Sequence, residues 1–171
     1  LDRKMVQLIE KGLTQSTILL GRTGVRRINA DYYAITVMNY ILGAGGFSSR
    51  LMDSIRDKQG LAYGIMSQFD SRVMPGAFFI SLQTRTDVTN QAITSVLAEI
   101  KTIRETPVTD QELGEAKSFI VGSFPLRIDS SAKLANVLAQ VELYNHGLHY
   151  FTRYPKAIEK VTKDDVLRVA K

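Results

Sequence analysis

Apolar residues along this chain change their spacing at about its midpoint, and the change divides the predicted elements. Before Asp87 they recur mostly at every second position. Gln15–Gly21, QSTILLG, reads as a strand, with the run Ile18-Leu19-Leu20 expected to be buried on both faces. Leu61–Ser71 and Gly76–Arg85 read as two more strands, the latter with Phe78, Ile80 and Leu82 on one face. The intervening Arg72-Val73-Met74-Pro75 predicts an antiparallel hairpin. One helix, Asp31–Leu42, precedes that hairpin, with Tyr33, Val37, Tyr40 and Ile41 at helical spacing and Asn29 or Asp31 as its cap.

After Asp87 the helical period takes over. Ile93, Val96, Leu97 and Ile100 form one stripe that ends at Pro107. Thr109 and Glu112 form a capping box that opens a helix through Leu113, Ala116, Ile120 and Phe124. Ser130 or Ser131 caps a further helix through Leu134, Val137, Leu138 and Val141, which stops near Gly147. Pro155 is placed in the first turn of a short helix, and Thr162 with Asp165 caps the last one. Strands first and helices afterwards predict an α+β fold, an antiparallel sheet with helices packed on one face, rather than a parallel βαβ sheet. Residues 15–171 are expected to form a single domain and residues 1–14 a linker or the remnant of a preceding segment. A chain that opens on Leu1 and closes at Lys171 inside a helical pattern is expected to be a fragment of a longer polypeptide.

Between the two regimes lies Gly43–Tyr63, GAGGFSSRLMDSIRDKQGLAY. Phe47, Leu51 and Ile55 recur as one face of a short buried helix, with Ser48 or Ser49 as cap and Gly60 as a left-handed stop. Arg56 falls at the edge of that face near the helix C-terminus, where the helix dipole favours a cation. Tyr63 falls early in the next strand. A guanidinium and a phenol converging on one cleft are donors suited to a peptide carbonyl or a developing oxyanion. Gly43, Gly45 and Gly46 exceed what one helix cap needs, which predicts a loop that moves or admits another chain.

Composition narrows the chemistry. With 171 residues and 44% hydrophobic content the chain can build one core, and no apolar run is long enough to span a bilayer. The net charge of +5 comes without aromatic residues interleaved in a basic stripe, which argues against nucleic acid as a partner. Cysteine is absent, and the opening LDRKMVQLIEKG has no apolar core of a signal peptide. Periplasm, cytoplasm and mitochondrial matrix are all compatible with these features. The glycine cluster lacks the Gly-Lys-Ser/Thr of a phosphate loop and follows a helix rather than a strand, so it does not match a nucleotide fingerprint. His146 and His149 read as a surface pair at a helix exit. Neither H-x-x-E-H nor G-x-S-x-G occurs, so no metal ligand and no serine nucleophile is assigned.

The block LGAGGFSSRLMDSIRDKQGLAYGI resembles the second-half domain of the insulinase/pitrilysin-type metallopeptidases, the family of the mitochondrial processing peptidases and many bacterial zinc proteases. QSTILLG, PVTDQELGEAKSFIVGSFPL and HYFTRYPKAIEKVTKDDV resemble further signposts of that family in the same order. The resemblance implies a clamshell of two homologous halves, fused or separate. One half binds zinc through H-x-x-E-H; the other lacks the metal and contributes an Arg and a Tyr through R-x-x-x-x-G-L-x-Y, matched here by Arg56, Gly60, Leu61 and Tyr63. It also implies that Arg56 and Tyr63 contact substrate and the tetrahedral intermediate, and that Gly43, Gly45 and Gly46 belong to a loop facing the substrate entrance. The implied function is the inactive half of a zinc metalloendopeptidase, with no activity from this chain alone, zinc in the partner half and an extended peptide as substrate. The alternative is a scaffold or peptide-binding subunit of the same fold.

Overall fold

The computed structural model describes Met5, Gln7, Ile9 and residues 12–171, so the expected linker over 1–14 lies largely outside the described residues. Among these residues three strands form one antiparallel sheet: β1 (Gln15–Thr23), β2 (Gly64–Phe69) and β3 (Ala77–Arg85), in the order β1-β3-β2. β1 pairs with β3 from Gln15↔Arg85 to Thr23↔Ala77, and β2 with β3 from Gly64↔Gln83 to Phe69↔Phe78. The hairpin and the α+β class are as expected.

Six α-helices follow or interleave with the strands: α1 (Tyr32–Asn39), α2 (Thr89–Glu105), α3 (Asp110–Gly122), α4 (Ser131–Leu143), α5 (Tyr150–Glu159) and α6 (Lys163–Ala170). α1 runs into a π-helical turn at Tyr40–Ala44, and a second π-helical stretch spans Met52–Lys58. α1 packs on β2 and against α3, α5 and α6, while α2 packs on β3. The inward sheet face (Ile18, Ile65, Ile80, Leu82) meets Val37, Ile41, Leu51, Ile55 and Val96 in one core. No helix among the described residues is long and apolar enough to cross a membrane.

Three expectations of burial are corrected. Leu19 is 68% exposed, opposite Ser81, because helices cover only one face of this sheet and an edge strand then alternates. Leu97 is exposed, and the buried stripe of α2 runs through Ala92, Val96 and Ile103. In α4 only Val141 is buried, while Leu134 and Leu138 remain partly open, because within the chain the helix packs chiefly on the 3₁₀ turn Phe124–Arg127. Periodicity marks an apolar face but not what covers it.

Pro155 is also displaced from its expected place. α5 begins at Tyr150, which puts the proline in the helix interior, where it costs about 3 kcal/mol. Tyr150, Tyr154 and Ile158 lie along one buried face, and burying each such side chain is worth about 1.5–3 kcal/mol, so packing outweighs the missing N–H. Tyr154 stacks on Phe124 (4.8 Å between centroids) and meets Tyr33 edge-on.

Both capping boxes form. Thr109 Oγ1 accepts from the Glu112 N–H (3.1 Å) and Glu112 Oε2 accepts from the Thr109 N–H (2.8 Å); Thr162 and Asp165 repeat the arrangement. Glu112 does more than cap. It also takes a bidentate pair from Arg50, Nε to Oε1 at 2.6 Å and Nη2 to Oε2 at 2.9 Å, which ties the Met52–Lys58 helix to α3. The Arg50 hydrogen bonds, against the opposing effect of burial and with help from the Thr109 N–H, lower the Glu112 carboxyl from 4.5 to about 2.

Because the folded value is depressed, this contribution is complete above the unfolded pKa of 4.5 and is lost as pH falls through about 2. Glu112→Gln is expected to cost about 1–3 kcal/mol at neutral pH and to flatten the loss of stability across that window. Urea unfolding of both proteins above, within and below the window measures it. A wild-type protein that keeps its full stability below the window contradicts the assignment.

Candidate functional site

Leu51 and Ile55 have no solvent exposure and anchor the Met52–Lys58 helix to the core, so the residues between and beyond them are held at fixed positions. Ser49 starts the helix in an extended conformation (φ −90°, ψ 150°) and its carbonyl accepts from the Asp53 N–H (3.0 Å). Its buried hydroxyl donates to the Gly46 carbonyl (2.7 Å) and so ties down the glycine turn, in place of the side-chain cap expected of Ser48 or Ser49. Gly60, at φ +63°, ends the helix with its N–H on the Arg56 carbonyl (2.9 Å).

Phe47 departs from expectation. It is 70% exposed, because Gly46–Ser48 forms a 3₁₀ turn outside the helix and carries the ring off the buried face. Its new neighbour is Arg56, whose guanidinium carbon lies 4.9 Å from the Phe47 ring centroid and 5.9 Å from that of Tyr63. Arg56 thus lies within cation–π range of two aromatic rings. Its nearest carboxylate among the described residues is Asp57, at 4.0 Å, and Nη1 lies 3.9 Å from the Met52 sulfur. The Arg56 side chain keeps 33% of its surface open.

Tyr63 immediately precedes β2 and is held by its backbone, whose N–H donates to the Gln83 carbonyl (3.1 Å). The residue is 84% exposed, and among the described residues no hydrogen bond engages its hydroxyl. Beside it runs an open groove of about 480 Å³, bordered by Gly60, Leu61, Gln83 and Arg85. Exposed cation–π contacts are worth only about 0.5–1 kcal/mol, so the fold gains little from this Arg–Tyr placement. Chemically, the pair presents guanidinium and phenol donors on one exposed patch.

The three glycines divide. Gly43 is buried in the π-helical turn: a Cβ there would lie 2.6 Å from both the backbone N and the Oγ of Ser67, and 2.8 Å from Leu51 Cδ1. Gly45 is half-buried against Tyr40, and Gly46 is exposed at φ +59° with open space around it. The structure therefore brings Arg56, Tyr63 and the Gly46–Phe47 turn together, while Gly43 faces the sheet. Sequence spacing missed Phe47 as a member of this patch. Its setting, between two glycines and two serines, is a turn composition that competes with the helical period.

His146 stacks on Tyr150 (5.1 Å, 13° between planes) and His149 flanks the start of α5, so the two imidazoles are absorbed separately. Among the described residues no group of three or more His, Cys, Asp or Glu could hold a metal ion.

A three-stranded antiparallel sheet covered by helices on one face, with a half-buried arginine beside an exposed tyrosine, is an α+β domain of the kind that the resemblance implied. The chain belongs to the peptidase M16 family: the family's inactive domain matches residues 3–120. It is 31% identical to an uncharacterized zinc protease of Streptomyces coelicolor over 97% of this chain and 36% of that protein. It is 33% identical to a non-peptidase homolog from Helicobacter pylori over 79% of this chain and 31% of that protein. The crystal structure of a peptidase M16 inactive domain from Pseudomonas fluorescens superposes with a TM-score of 0.87 at 32% identity, covering 94% of this chain and 38% of that one. The chain thus spans about a third of the length of the curated relatives it matches.

Gly43→Ala is expected to destabilise the domain by about 1–3 kcal/mol, because the methyl must displace Ser67 backbone or the Leu51 side chain. Gly46→Ala meets no atom and is expected to cost about 1 kcal/mol, from its positive φ. Urea midpoints of the two variants test the ranking; equal losses contradict the packing role given to Gly43.

Proposed function

We propose that this domain is the non-zinc-binding half of a clamshell zinc metalloendopeptidase and that Arg56 and Tyr63 act on the peptide held between the halves. The observation that carries this reading is the state of the pair: Arg56 is anchored through its helix and keeps part of its side chain open, and Tyr63, 5.9 Å from it and held only by its backbone, stands exposed beside an open groove. The H-x-x-E-H half, fused or separate, holds the zinc, which lowers the pKa of its bound water towards 7. Arg56 and Tyr63 have no means of making that nucleophile. Their part is to donate hydrogen bonds to a carbonyl of the extended peptide and to the oxygen on which charge develops. Loss of one such donor costs about 2.7–4 kcal/mol in other hydrolases. The glycine turn borders the same patch through Gly46 and Phe47, and there it contacts the peptide backbone.

A second reading, a scaffold or peptide-binding subunit without hydrolysis, is favoured by the relative from Helicobacter pylori, whose name makes it a non-peptidase homolog.

The test uses the full-length protein together with its H-x-x-E-H half and a set of unfolded peptides. Tyr63→Phe and Arg56→Ala are each expected to lower kcat/KM by about 10²–10³-fold, with melting changed by less than about 0.5 kcal/mol. Wild-type cleavage rates in both variants sink the assigned roles. No cleavage by the wild-type assembly, with peptide still bound, favours the second reading.

A further inference from the structure

A second cavity lies at the opposite end of the sheet from Tyr63. Tyr63 precedes the first residue of β2, whereas the Arg27 N–H donates to the Arg72 carbonyl (2.8 Å) in the loop beyond its last residue. Six residues of strand, about 20 Å, separate the two ends. Here Arg27, the 3₁₀ turn Phe124–Arg127, α4 and the start of α5 border a half-open cavity of about 460 Å³.

The lining is one-sided in charge. Arg27, Arg127 and Lys133 bring three cations, Gln140, His146 and Tyr150 bring neutral polar groups, and no carboxylate lines the space. Lys133 is neutralised by Asp129 (2.8 Å), but none of the ion pairs among the described residues involves Arg27 or Arg127. These two guanidinium groups make do with phenols. Arg27 donates to the Tyr32 and Tyr150 hydroxyls, and Arg127 Nη1 donates to the Tyr154 hydroxyl (3.3 Å). The Arg27 Nε is shut off from solvent and has no acceptor among the described residues. The positive potential registers on the neighbours. Burial first, and then the charges of Arg27 and Arg153, hold the His146 imidazole below its usual value. Phe124, Leu126, Val137 and Val141 supply an apolar wall behind these donors.

A half-buried arginine such as Arg27 is ordinarily matched by a carboxylate, Arg127 beside it is exposed, and a planar fork of N–H groups fits a two-oxygen anion. We infer that this cavity is a binding site for a small oxyanion carried on an apolar body, a carboxylate or a phosphate monoester, gripped by Arg27 and Arg127. The site is independent of the Arg56–Tyr63 patch, and neither claim rests on the other.

Calorimetric titration of the full-length protein with inorganic phosphate, phenyl phosphate, acetate and hippurate tests it. Saturable binding of phenyl phosphate or hippurate, tighter than that of the bare anion, is expected; whichever arm binds more tightly names the source of the oxyanion. Arg27→Gln and Arg127→Gln are each expected to weaken binding about tenfold or more, with Arg27→Lys falling between. Should a variant fail to fold, titration of the wild-type protein while following the His146 imidazole by NMR, assigned with His146→Gln, supplies a second readout, and a saturable shift is expected. No saturable binding of any of the four probes, or affinity undiminished in both folded glutamine variants, overturns the inference.

Discussion

The contact between Gly43 and Ser67 is the constraint on which the placement of the site depends. With no side chain at Gly43, the π-helical turn comes into van der Waals contact with β2, and Leu51 fills the space beside it. The approach is reinforced by a buried polar exchange. Asn39 Nδ2 donates to the Ser67 carbonyl (3.3 Å) and Ser67 Oγ donates to Asn39 Oδ1 (2.7 Å). Groups this deeply buried must be paired to be tolerated, so the pairing fixes α1, the turn and the strand relative to one another. Leu51 and Ile55 then carry the following helix into the same core, and Arg56 is delivered beside Tyr63 as a consequence.

Arginines in this domain illustrate how surroundings decide the use of one chemical group. Arg50 is spent on structure: a bidentate grip on a carboxylate that also caps α3. Arg168 bridges Asp31 and Asp165, joining α6 to the start of α1. Arg56 lies near two aromatic rings with its nearest carboxylate, Asp57, at 4.0 Å, and Arg27 and Arg127 donate to phenol oxygens. At these two separate places in the fold a guanidinium lacks a close carboxylate partner.

Membership of the peptidase M16 inactive domain also gives the exposed apolar surface a context. The chain covers about a third of the length of the relatives it matches. The half-open leucines of α4 and the exposed Leu19 and Phe47 are among the apolar positions that packing within the chain leaves uncovered.

What the sequence by itself determined is what depends on near neighbours. The hairpin, both capping boxes and the left-handed Gly60 were legible because each is set by residues within a few positions of one another. The Arg56–Gly60–Leu61–Tyr63 pattern likewise named the two side chains that the fold brings together. Only the tertiary structure decided which apolar faces are covered, that Phe47 leaves its predicted helix, that Pro155 sits inside α5, and that Arg50 reaches Glu112 across 62 positions. The same holds for Arg27 and Arg127, brought to one cavity from opposite sides of the hairpin. The physical reason is common to all of these. Burial and long-range pairing depend on which surfaces meet, and local spacing carries a face's polarity but no record of its partner.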